Sequence, residues 1–170
     1  MPPYMRISIA SVAAIAVQPA FFFARIAPDY FASSTPVYGL GLLLAAVVIV
    51  ASAAVLLLGI PTFLLLRKYE RVNWTTLAIA GICLGMMPTA LGWPRNLGGY
   101  SSAQNCHGKY VYTYINGVPT SYAWLNYVED VLYFGAHGLI GALVFYVVWR
   151  HLERSAEVDS GDVFSREIFK

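Results

Sequence analysis

Charge is scarce in this chain. Only 12% of its 170 residues are Asp, Glu, Lys or Arg, while 58% are hydrophobic; an average soluble domain carries about a quarter charged residues. The composition therefore departs toward lipid, away from an ordinary water-facing surface. A net charge of +2 is too small to point to nucleic acid, and no basic stripe is interleaved with a stacking platform. Cysteine is equally sparse: Cys83 and Cys106 cannot build a disulfide framework and lack metal-ligand spacing, and Cys106 beside His107 makes a poor chelate without further ligands. There is no nucleophile elbow, no HExxH and no P-loop, so an enzyme reading has no support; no catalytic residue, cofactor or metal is expected.

What the chain does contain is four long apolar stretches, over 7–27, 38–66, 75–93 and 131–149. Each approaches the ~20 residues that an α-helix needs to cross a hydrocarbon core of ~30 Å. The expectation is an all-α membrane protein: a four-helix transmembrane bundle over 1–151, an extracytoplasmic loop at 94–130, and a short, mobile cytoplasmic tail at 152–170. The first stretch reads as a retained span rather than a signal peptide. It is longer than an h-region, holds Pro19 in its middle and ends in Phe21, Phe22, Phe23, Ala24 and Arg25 with no small-x-small cleavage site.

Orientation follows from the basic residues. Arg6, Arg67, Lys68, Arg71, Arg150, Arg154, Arg166 and Lys170 fall on one side of such a bundle, and Arg25, Arg95 and Lys109 on the other. The positive-inside rule then puts both termini and the 67–73 loop in the cytoplasm. Trp74, Trp93 and Trp149 stand at span ends, where an indole suits the headgroup layer. The sequon Asn73-Trp74-Thr75 lies on the cytoplasmic side and is expected unmodified.

Within the spans, Gln18 precedes Pro19 near the bilayer middle, where a proline frees a carbonyl one turn back and predicts a kink. The second span is longer than a bilayer core and so either tilts or breaks; Gly59-Ile60-Pro61 is the place for a break, after which 62–68 bends along the inner interface. Gly81 and Gly85 form a GxxxG pattern whose meaning is close helix contact, within the chain or as a homo-oligomer seam; Gly138 with Ala142 is a small pair of the same kind. Glu129 and Asp130 suit a helix N-terminus. Asp130, Tyr133 and His137 share one face of the fourth span, and a His two turns into the membrane is expected to point inward, toward Gln18, a carbonyl or water.

The 94–130 loop is neither apolar enough to insert nor charged enough to be disordered. Lys109 to Ile115 alternates aromatic and β-branched residues, and Asn116-Gly117 is a type I′ turn signal, which predicts a β-hairpin returning through Val118 to Trp124, with Pro119 confining the return arm to an edge or a short strand. Alternation places Tyr110, Tyr112 and Tyr114 on one face, and Tyr122 and Trp124 join them from the return arm as an amphipathic surface that either anchors in the headgroup layer or contacts a protein partner.

The run Gly59-Ile60-Pro61-Thr62-Phe63-Leu64-Leu65-Leu66-Arg67, continuing through Trp74 and Ala80-Gly81, resembles a pattern in small uncharacterised four-span inner-membrane proteins of proteobacteria. The resemblance covers Gly59 to about Gly85. It implies a bacterial inner membrane and short antiparallel helices, and brings no activity, ligand or site residue with it. The leading expectation is a non-enzymatic membrane protein whose hairpin binds a protein, toxin immunity being one form. The alternative is a small transporter or channel component with a polar path near Gln18 and His137.

Overall fold

In the computed structural model the described residues are 1–32, 39–106 and 109–168, with the backbone alone described at 29, 32, 105, 106, 109 and 157–168. Helix α1 is Pro3–Ala32, α2 is Leu40–Ala54, α3 is Ile60–Lys68, α4 is Trp74–Ala90 and α5 is Ser121–Ile168; strands β1 (Ser102–Cys106), β2 (Lys109–Ile115) and β3 (Val118–Pro119) form one antiparallel sheet in the order β1-β2-β3. Among the described residues three segments are long and apolar enough to cross a membrane: Pro3–Pro28, Leu40–Lys68 and Ser121–Ala156. The expected third span is shorter than the sequence implied. α4 has 17 residues, about 25 Å at the usual helical rise. It ends in a turn where Gly92 N–H donates to Thr89 C=O at 3.0 Å, so Trp93 lies outside the helix.

The predicted break at Gly59-Ile60-Pro61 is absorbed without interruption. Val55–Gly59 forms a π-helical turn joining α2 to α3, with Ile60 N–H donating to Val55 C=O. Pro61 has no N–H to offer and its ring crowds the carbonyl four residues back; one additional residue in the preceding turn moves that carbonyl aside, so the helix bulges and continues. α1 likewise runs through Pro19 and Pro28. Two serines in these apolar helices turn back on their own backbone: Ser8 Oγ donates to Tyr4 C=O at 3.0 Å and Ser52 Oγ to Val48 C=O at 2.7 Å, which satisfies a hydroxyl without water.

The chain divides into two compact units, Met1–Gly81 with Leu139–Lys170, and Ile82–Gly138. The core of the first gathers around Phe63, 1% exposed, with Ala10, Ala14, Leu77, Phe145 and Trp149. Phe63 meets Phe145 and Trp149 edge-on at centroid distances of 4.9 and 5.1 Å, the arrangement favoured by opposed ring quadrupoles. Trp149 is therefore not the interfacial anchor that its position at a span end suggested: it is 6% exposed, because α5 continues beyond it. The residues expected to form a mobile tail extend that helix to Ile168. α2, by contrast, buries no residue.

The α4 N-terminus is capped by Asn73. Its Oδ1 accepts from Thr76 N–H at 2.8 Å while Thr76 Oγ1 accepts from Asn73 N–H at 3.2 Å, a reciprocal cap of the capping-box kind. The sequon asparagine thus has a structural use.

Candidate functional site

The second unit holds the sheet with its tyrosines. Ile115 pairs with Val118 and Tyr114 with Pro119, and Asn116 and Gly117 adopt φ of 51° and 81°, the left-handed pair a type I′ turn demands. The hairpin has the predicted turn and a return arm of only two residues. It stops because Thr120 caps the next helix: its Oγ1 accepts from Ala123 N–H at 3.4 Å and donates to Tyr112 C=O at 2.7 Å, while Thr120 N–H donates to Thr113 C=O at 3.0 Å. Tyr122 and Trp124 accordingly sit in the first turn of α5 and not on a strand. Glu129 and Asp130 lie further along α5, both exposed, so they do not open the helix.

The sequence reading missed β1. It pairs with β2 along Ala103–Tyr112, Gln104–Val111, Asn105–Tyr110 and Cys106–Lys109, and after a register shift along Ser102–Tyr114. Thr113 is the additional residue. Paired residues share a face of a sheet and neighbours in a strand do not, so Tyr114, opposite Ser102, leaves the face that Tyr110 and Tyr112 occupy opposite Asn105 and Ala103. Burial agrees. Tyr110 and Tyr112 are 78% and 56% exposed, while Tyr114 is half-buried and sits 6.3 Å from the Tyr100 ring. A bulge of this kind leaves no mark in a hydrophobicity pattern.

The turn is clamped rather than free. Leu97 N–H donates to Gly117 C=O at 2.9 Å, Gly117 N–H to Tyr100 C=O at 2.5 Å, and Asn116 N–H to Ser101 Oγ at 2.9 Å. Gly117 is buried, and a Cβ there would stand 2.5 Å from Gly98 N. Asn126 Nδ2 donates to Gln104 Oε1 at 3.1 Å and Tyr127 Oη to Ala90 C=O at 2.9 Å, tying α5 to β1 and to the end of α4. The tyrosine pair thus stands on a strand held by β1 along both residues and by Thr120 at the Tyr112 carbonyl.

In the same unit α4 and α5 touch backbone to backbone. A Cβ on Gly85 would land on the Phe134 carbonyl and 3.2 Å from Gly138 Cα, and one on the buried Gly135 would meet Met86 Cε at 2.7 Å. Gly135 was not singled out from the sequence, since it belongs to no small-xxx-small pair. Gly81 is half-buried. Tyr133 and His137, one helical turn apart, are half-buried with their rings edge-on at 4.6 Å.

In the first unit Gln18 is 7% exposed and donates to Ala14 C=O at 3.4 Å. Its Nε2 packs over Gly141 of α5, where a Cβ would stand 2.8 Å away. Ser11, on the same α1 face, is also buried. Cys83 is exposed; His107 lies outside the described residues. Among the described residues no three of His, Cys, Asp and Glu gather to hold a metal ion. Compared with family models, curated proteins and solved structures, the chain matches none of them.

Proposed function

We propose that this chain is a non-enzymatic protein of the bacterial inner membrane that binds a protein partner on the extracytoplasmic side through Tyr110 and Tyr112, with toxin immunity as one concrete form. The carrying observation is the exposure of those two rings on a strand paired with β1 opposite both of them. A rigid aromatic pair loses little side-chain entropy on binding and offers apolar area with a polar tip, which is how compact recognition surfaces gain affinity. In this reading α1, the Leu40–Lys68 helix, α4 and α5 are the four spans, and the basic residues at 67, 68 and 71 keep their loop cytoplasmic.

The test replaces Tyr110 and Tyr112 together by Ser. We expect loss of the co-purifying partner at unchanged membrane abundance, whereas Tyr114→Ser, which removes the ring beside Tyr100, lowers abundance instead. Retention of the partner by the double variant would refute the proposal.

A small transporter or channel component is the second reading, supported by the burial of polar Gln18 against a glycine of another apolar helix. It predicts that His137→Leu abolishes activity while the tyrosine variant is active.

A further inference from the structure

Gly59 is a glycine that its surroundings do not require. Its φ is −65°, ordinary for any residue in a helix, and an added Cβ would meet nothing nearer than Ala54 C=O and Val55 Cγ1, each at 3.9 Å. Gly85 and Gly117, by contrast, are fixed by backbone close at hand. Glycine is the poorest helix former after proline, and this one stands two residues before a proline, at the end of the π-helical turn Val55–Gly59. What the position gains is backbone freedom. Pro61 adds to it, since a residue without an N–H leaves the helical ladder one bond short at that turn.

The same turn sets the phase of the helix. Ala51, Val55, Gly59 and Phe63 are among its less exposed positions and are spaced by four. In an unbroken α-helix three such steps drift by about 120°, and one inserted residue takes back about 100°. The less exposed face of α2 thus runs on into the face that carries Phe63, and the turn cannot straighten without losing that register.

The two sides of the turn are held unequally. After it, Phe63 is 1% exposed in a core shared with Ala10 and Ala14 of α1 and Leu77 of α4, and Leu66 packs against that core. Before it, α2 lies along α1 but buries no residue. One continuous helix has a locked end and an unlocked end, joined where its ladder is short of a bond.

We propose that Val55–Gly59 is a hinge about which α2 swings on and off α1 while α3 stays in the core, so that the α1–α2 seam opens and closes without unpacking Phe63. Segments that move are drawn from those with few buried contacts, and a hinge is a few residues that absorb the change in φ and ψ. The hinge does not depend on what Tyr110 and Tyr112 bind.

The experiment uses the full chain with Cys83→Ser and Cys106→Ser in lipid nanodiscs. Spin labels at Val12→Cys of α1 are paired in turn with Leu42→Cys, Ile49→Cys and Leu65→Cys, all exposed positions. Leu42 and Ile49 lie about 22 and 12 Å before the middle of the π-turn at Leu57, and Leu65 lies beyond it. Double electron–electron resonance is expected to give a distance distribution at least twofold broader for 42 than for 65, with 49 between them, as a lever requires. Gly59→Ala, for which there is room, is expected to narrow the distribution for 42 toward that for 65 and to raise the melting temperature. Equal widths for 42 and 65 overturn the proposal. So does a broad distribution for 42 that Gly59→Ala leaves unchanged, the signature of a helix end that frays on its own.

Discussion

Glycine at 85 is where a single methylene decides how closely two helices pass. The neighbour there is the Phe134 backbone, which cannot swing aside, so the strain of a larger residue must separate α4 from α5. Gly85→Leu is expected to cost at least the roughly 1–3 kcal/mol typical of overpacking, read as a lowered melting temperature in detergent. Gly135→Ala meets the Met86 side chain, at Cε 2.7 Å and Cγ 2.9 Å, and no backbone, and is expected to cost less, because a methionine changes rotamer readily. Equal melting of Gly85→Leu and the wild type would mean that the α4–α5 approach is looser than the structure has it. The same logic operates at Gly141, whose missing side chain leaves the volume that the Gln18 amide fills.

At the scale of elements, what each segment does next decides where the previous one stops. β3 ends after two residues because Thr120 turns its backbone and hydroxyl to β2 and caps α5. The hairpin turn, in contrast, is held from outside by 97–101. Gly117→Ala would suffer twice, from a positive φ that costs an alanine about 1–2 kcal/mol and from the close approach of Gly98. The expected result is loss of amide hydrogen-exchange protection at Leu97 and Gly117, with the Ala103–Tyr112 and Gln104–Val111 ladder retained. Unchanged protection would mean that the clamp tolerates a side chain.

For the whole molecule, the asymmetry of basic residues is the strongest determinant of orientation. It predicts that a cytoplasmic-active reporter fused at Lys68 is active and that a periplasmic-active one there is silent, with the reverse at Ser101. A periplasmic signal at Lys68 would invert the arrangement and move the tyrosine strand to the cytoplasm. The short α4 makes this prediction sharper, because a helix of 17 residues crosses only if the bilayer thins or flanking groups reach the interface. Leu91 and Trp93, exposed beyond its end, are placed in sequence to do so.

The amino-acid sequence alone determined the apolar helices, the Asn116-Gly117 turn and the edge character of Pro119, because these depend on hydrophobic runs and on the φ preferences of single residues. Only tertiary structure decided the rest. β1 reads as Ser-Ala-Gln-Asn-Cys, a polar run with no alternation, and becomes a strand through its pairing with β2. The register shift that parts Tyr114 from Tyr110 and Tyr112 is a property of that pairing, not of either strand. Trp149 looked interfacial because its apolar run ends there, yet the helix continues and Phe63, distant in sequence, claims the indole for a core. Local signals record what a residue prefers; which neighbour satisfies that preference is settled by packing across the fold.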